Sequence, residues 1–125
     1  LADKHKILIV DDDASLVKML NVRLQVEGYE TALAVDGRTA IELAEEFLPD
    51  IVLLDIAMPS VTGVDVIEEL QLSQKNMDVP VVIMTAYPHM IKQVEGYTTV
   101  KACFKKPFDI PKMLTEIESI LADEA

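Results

Sequence analysis

Short apolar runs recur along this chain, separated by longer amphipathic stretches, and that alternation leaves few architectures open to it. Residues 7–10, 51–54 and 81–84 are apolar without polar alternation, residues 30–35 are more mixed, and a weaker fifth run covers 100–104. Continuous β-branched runs of this length mark strands buried on both faces, as in a parallel sheet. The stretches between them carry helical periodicity. Leu16, Leu20 and Leu24 recur every fourth residue beside Val17, and Ala40, Ile41, Ala44, Phe47 and Leu48 form a second stripe. Ile110, Met113, Leu114, Ile117 and Leu121 follow the i, i+3, i+4, i+7, i+11 rule of a one-sided helix. Gly28 ends the first helix, Asp36-Gly37 opens the second, and Pro49 closes it. Pro80 stands at a strand entrance, where a missing N–H is tolerated. A fourth helix is expected around residues 90–95, on a weak apolar stripe. The pattern is β-α five times over, which gives a parallel sheet with helices on both faces and right-handed crossovers. The 125 residues, half of them hydrophobic, suffice for one α/β domain spanning 1–125 with a core of its own.

Charge narrows the function. Twenty-two acidic residues against eleven basic ones give a formal net charge of −11. Nucleic-acid affinity comes largely from Lys and Arg neutralising phosphates, so no direct nucleic-acid binding is expected, and no binding to an anionic membrane. Cations and basic partner surfaces are the favoured company. A single cysteine, Cys103, permits no internal disulfide and agrees with a reducing, cytoplasmic setting. There is no signal-peptide pattern and no run long enough to span a bilayer. The chain begins at Leu1 and is expected to be a processed chain or a fragment, with no effector domain after its fifth helix.

In open α/β sheets, sites form at the carboxyl ends of the strands. Strand one ends in Asp11-Asp12-Asp13, strand three in Asp55, strand four in Thr85, and strand five in Lys105-Lys106-Pro107. Asp11, Asp12 and Asp55 crowded into one cleft would raise one another's pKa, and a divalent cation relieves that repulsion. Oxygen ligands without His or Cys suit Mg²⁺, which keeps several waters and leaves room for phosphate oxygens. Lys106 adds a positive charge and Thr85 a hydroxyl. Together these make a site for a phosphoryl group, with a carboxylate able to attack it.

The segments Val10-Asp11-Asp12, Leu54-Asp55-Ile56-Ala57-Met58-Pro59 followed by Gly63, Met84-Thr85-Ala86 and Lys106-Pro107-Phe108 resemble the receiver domains of bacterial two-component response regulators. The resemblance covers nearly the whole chain, in order. It implies a flavodoxin-like, doubly wound (βα)5 domain with strand order 2-1-3-4-5. It implies that Asp55 accepts a phosphoryl group from a phosphohistidine on a sensor histidine kinase or histidine phosphotransfer protein. Mg²⁺, or Mn²⁺ in its place, would be held by Asp11, Asp12, Asp55 and the backbone carbonyl of Ala57. Lys106 would pair with Asp55 at rest and with a phosphate oxygen afterwards, Thr85 would follow the phosphoryl group inward, and Lys106-Pro107 would be cis. The domain would catalyse its own phosphotransfer and slow dephosphorylation without being a turnover enzyme. It would signal to an output domain or protein through the face of helix four, strand five and helix five, where receivers also form homodimers.

The sequence departs from that family at Cys103, where the family usually carries Tyr or Phe. Phe104 cannot simply replace the ring, because neighbours in a strand face opposite ways. The Gly-Ala pair that typically precedes strand five is also missing. Plainer readings hold elsewhere: Asp13 as a helix N-cap, Asp36 as a turn residue, His89 as a solvated loop residue, and Met58, Met84, Met90 and Met113 as packing. Three rival functions are weighed. A phosphohydrolase would want an acid at Ala57. A flavodoxin-like FMN carrier would want a Ser/Thr/Gly-rich loop where three aspartates stand. A docking module without phosphorylation would not need the complete site.

Overall fold

The computed structural model describes residues 4–124, so the expected domain limits at 1 and 125 lie outside the described residues. Five strands, β1 (Lys6–Val10), β2 (Glu30–Ala34), β3 (Ile51–Asp55), β4 (Val81–Thr85) and β5 (Val100–Lys105), form one sheet. All neighbours are parallel, in the order β2-β1-β3-β4-β5. Four α-helices cover it: α1 (Ala14–Val26), α2 (Gly37–Phe47), α3 (Gly63–Leu72) and α4 (Ile110–Asp123). A short 3₁₀ helix, Pro88–Gln93, occupies the fourth crossover.

The unalternating runs are the central strands. Residues 7–10 of β1 and all of β3 and β4 are buried, because helices lie on both faces. The edge strands β2 and β5 are only partly covered, as their mixed composition requires. The sheet separates two apolar layers. Leu8, Val10, Val52, Leu54 and Ile83 pack on the side of α2 and α3, against Ala40, Ala44, Val66 and Ile67. Ile7, Ile9, Leu53, Val82 and Met84 pack on the side of α1 and α4, with Leu20, Leu24, Met113 and Ile117. Each fully buried Leu or Ile side chain contributes about 1.5–3 kcal/mol relative to exposure.

The helices begin where their caps stand. Asp13 accepts from the N–H groups of Ser15 and Leu16 at 3.1 and 3.2 Å. Asp36, read as a turn residue, accepts from Thr39 N–H at 2.8 Å and is the N-cap of α2. Thr62 and Asp65 form a reciprocal capping box on α3. The fourth helical segment differs from its expected position at 90–95. It starts earlier, at Pro88, stays 3₁₀ throughout, buries none of its six residues and has no side-chain cap. The apolar anchor is Val94, just past its end and fully buried. With so little apolar surface to bury, the segment gains too little from packing to grow into an α-helix.

One irregularity interrupts the ladder between β4 and β5. Val81 pairs with Val100 but Val82 pairs with Ala102, so Lys101 is an extra residue on β5. Val100 therefore packs with the α2–α3 layer, while Ala102 and Phe104 pack with the α1–α4 layer.

Candidate functional site

The carboxyl ends of β1, β3, β4 and β5 deliver the expected residues to one edge. Asp11 extends β1, its N–H donating to the Ala34 carbonyl at 3.1 Å, and its side chain is fully buried. Asp13 N–H donates to Asp11 Oδ1 at 2.9 Å, so the chain turns into α1 around that carboxylate. Asp12 between them is exposed. Asp55 ends β3 at 4% exposure, and Oδ1 accepts from Ala57 N–H at 3.2 Å. Gly63 lets α3 start against this strand end, since a Cβ there would stand 2.4 Å from the Asp55 carbonyl oxygen.

On the other side, Lys106 N–H donates to the Thr85 carbonyl at 2.7 Å, which carries the β4–β5 ladder one residue further. The Lys106–Pro107 peptide is cis. The lysine ammonium lies 2.6 Å from Asp11 Oδ2 and 3.7 Å from Asp55 Oδ2. It was expected against Asp55; it reaches both carboxylates and sits closer to Asp11. Thr85 is fully buried, and its hydroxyl closes a small turn with Tyr87, accepting from the N–H at 2.9 Å and donating to the carbonyl at 3.2 Å.

The charges do not balance. Carboxylate oxygens of Asp11, Asp12 and Asp55 all lie within 4.8 Å of one another, with one ammonium among them. Burial, then the neighbouring Asp11, push the Asp55 carboxyl up to about 6; Lys106, the Ala57 N–H and Asp12 act more weakly, the first two downward. For Lys106, burial pulls downward, but the summed attraction of Asp11, Asp55 and Asp12 wins and holds its pKa above the usual lysine value. Asp11 Oδ2 is buried, and its partner is the Lys106 ammonium 2.6 Å away. Three crowded carboxylates sharing one ammonium, with oxygen as the only ligand type, are the donor set a Mg²⁺ ion fits.

Two features beside the site were not foreseen: the close packing at Gly37, read only as a helix start, and an apolar trough. Gly37 lies under the β3–α3 loop, where a Cβ would meet the Val61 carbonyl oxygen at 2.5 Å. The second is an apolar trough of about 540 Å³ beside Lys106, whose lining includes Leu16, Met19, Pro107 and Phe108. Met19, Val22 and Val26 continue its apolar surface along α1, all well exposed. Their i, i+3, i+7 spacing was available as a signal, offset from the buried Val17, Leu20 and Leu24. Phe104 lies edge-on to Phe108 on the α4 side, whereas Cys103 faces the other way and is exposed.

Comparison with known proteins agrees with this geometry. The response regulator receiver domain profile matches residues 7–118. The DNA-binding dual master transcriptional regulator RpaA of Synechocystis sp. is 32% identical over 117 residues, 93% of this chain and 48% of that protein. The chain thus spans about half the length of the curated relatives it matches. The chemotaxis protein CheY4 of Vibrio cholerae superposes with a TM-score of 0.86 at 26% identity, covering 94% of this chain and 99% of that one. The response regulator TrrA of Thermotoga maritima, solved in complex with Mg²⁺-BeF, gives 0.81 at 28% identity, covering 93% and 98%.

Proposed function

Because the chain belongs to the response regulator receiver domain family, we propose that it is a phosphorylation-dependent switch whose acceptor is Asp55, and that residues 1–125 form one receiver unit. The observation that carries the acceptor assignment is a nearly buried carboxylate at the end of β3, 3.7 Å from a lysine and crowded by two further carboxylates. In the transfer, an Asp55 oxygen forms the new bond to phosphorus as the bond to the donor's histidine nitrogen breaks, and the imidazole leaves. Asp11, Asp12, Asp55 and the Ala57 carbonyl would hold the Mg²⁺, which would screen charge on the phosphoryl oxygens. Lys106 is positioned to move from the carboxylate pair to a phosphoryl oxygen. Thr85 can exchange the Tyr87 backbone for another such oxygen. That exchange opens the Thr85–Tyr87 turn and frees the weakly held 88–93 segment, which would relay the change to an output partner on the 3₁₀–β5–α4 face or to a second copy docked there.

The phosphodonor on this reading is a sensor histidine kinase or histidine phosphotransfer protein in the cytoplasm, with the trough beside Lys106 as the surface it approaches. RpaA is a DNA-binding protein, but the net charge of −11 argues against nucleic-acid contact by these 125 residues. Among the described residues, no helix is long and apolar enough to cross a membrane. The test is intact-mass analysis after incubation with acetyl phosphate and Mg²⁺. One phosphoryl adduct, lost with Asp55→Asn and with a chelator, is expected; an adduct that survives Asp55→Asn places the acceptor elsewhere.

A further inference from the structure

A further groove lies between α2 and α3, lined by none of the clustered carboxylates. A groove of about 430 Å³ runs between the two helices, and a smaller one of about 130 Å³ shares Ile41 and Glu69 with it, so the two are continuous. The floor is apolar, made by Ile41, Val61 and Leu70. At the far end stands Leu72, 78% exposed, the most exposed large hydrophobic side chain among the described residues. The rim is acidic. Asp65 is committed to the α3 capping box and Glu68 accepts from the Tyr97 hydroxyl at 2.9 Å. Glu42, Glu45 and Glu69 have no such commitment, because the ion pairs among the described residues are those of Lys106. Arg38 is the one basic residue lining the groove.

An apolar floor with an exposed leucine needs an apolar cover, and an anionic rim selects a cationic one. We propose that the α2–α3 groove docks a short, cationic amphipathic helix of a partner protein, apolar face down on Ile41, Val61 and Leu72, with Lys or Arg side chains meeting Glu42, Glu45 and Glu69. A second copy of this chain is disfavoured as occupant because it too carries −11. The α2 residues that line it run from Arg38 to Glu45, about 10 Å at 1.5 Å per residue, so an occupant of about eleven residues spans it with anchors at i, i+3 or i+4, and i+7. The docking does not depend on the phosphoryl chemistry proposed above.

The probe is a synthetic helical peptide of about that length, Leu at the anchor positions and Lys elsewhere, followed by amide chemical shifts in the intact chain. Saturable one-to-one binding is expected, with shifts centred on Ile41, Val61 and Leu72. Glu42→Lys with Glu69→Lys should weaken it about tenfold or more, and Leu72→Ala should weaken it without any change in charge. Glu27→Lys with Glu118→Lys changes the net charge equally at exposed sites outside the groove and should leave affinity within about twofold. The proposal is overturned if that control pair weakens binding as much as the groove pair, if a scrambled peptide binds equally, or if the shifts fall elsewhere. Self-association of the free chain that is abolished by Leu72→Ala would also overturn it, naming a second copy as the occupant.

Discussion

Asp55→Asn should make the metal-free protein more stable at neutral pH, against the usual direction of a substitution at a buried polar site. Asp55 is raised from 3.8 to about 6, first by burial and then by Asp11. A carboxyl whose folded pKa lies above its unfolded value contributes stability in full below the unfolded pKa and loses it as pH rises through the folded one. The window therefore opens near pH 4 and closes just above pH 6. At about 1.4 kcal/mol per unit the shift corresponds to about 3 kcal/mol. Asp12 is exposed and Lys106 is 20% exposed, so solvent reaches the site and the figure falls to about 1–2 kcal/mol. Asn cannot ionise, and its amide oxygen can still accept from Ala57 N–H, so the variant escapes the penalty and keeps the contact. For a chain of this size, that gain raises Tm by about 4–8 °C. Urea denaturation with a chelator present, at pH 7 and pH 4, measures it. The gain should be full at pH 7 and nearly absent at pH 4, and Mg²⁺ should close the gap by stabilising the wild type selectively. A variant no more stable than wild type at pH 7, or a gain of equal size at pH 4, would refute the argument that repulsion is stored at Asp55.

Lys106→Ala should still be phosphorylated by acetyl phosphate but fail to pass the change to the 88–93 segment, read as unchanged hydrogen exchange there; normal exchange changes would remove the role given to Lys106. In chelator it should also lose about 3 kcal/mol in urea denaturation, because Asp11 would keep a buried charge without its partner, with much of that loss recovered on adding Mg²⁺. Gly63→Ala should lower both stability and phosphorylation rate, since the new methyl meets the Asp55 carbonyl oxygen and the neighbouring backbone; thermal melts and intact-mass time courses read the two effects. Leu20→Ala, in the α1–α4 layer, should cost about 2–5 kcal/mol by denaturant titration while leaving the phosphorylation site chemically intact.

The sheet was legible because burial on both faces writes itself into composition: the unbroken apolar runs at 7–10, 51–54 and 81–84 became the three central strands. The site was legible for a related reason, since strand ends place polar residues at one edge whatever the loops do. Asp11, Asp12, Asp55 and Lys106 meet there as their positions implied. The fourth crossover was not legible, because its one deeply buried residue, Val94, falls outside the turn it anchors, and a lone anchor has no period. The preference of Lys106 for Asp11 was hidden too, as it depends on differences of about an ångström that no residue pattern records. The groove between α2 and α3 emerged only once the two helices lay side by side, with carboxylates distant in sequence along one rim.

The extra residue on β5 makes this domain unequally tolerant of changes in chain length. Residues in the connections could be gained or lost with small effects on the elements they join. β5 carries slack of its own, for Lys101 is an extra residue between Val100 and Ala102, which face opposite sides of the sheet as adjacent strand residues do. A chain without Lys101 would form a straight ladder with β4, and each residue from Ala102 to Lys105 would keep its partner and its face. Cys103 would stay exposed and Phe104 against the α1–α4 layer, and the lysine that reaches Asp11 and Asp55 would still arrive beside Thr85. Length variation among descendants of this sequence should therefore collect in its loops and at Lys101, and spare β1 and β3, whose ladders have no extra residue.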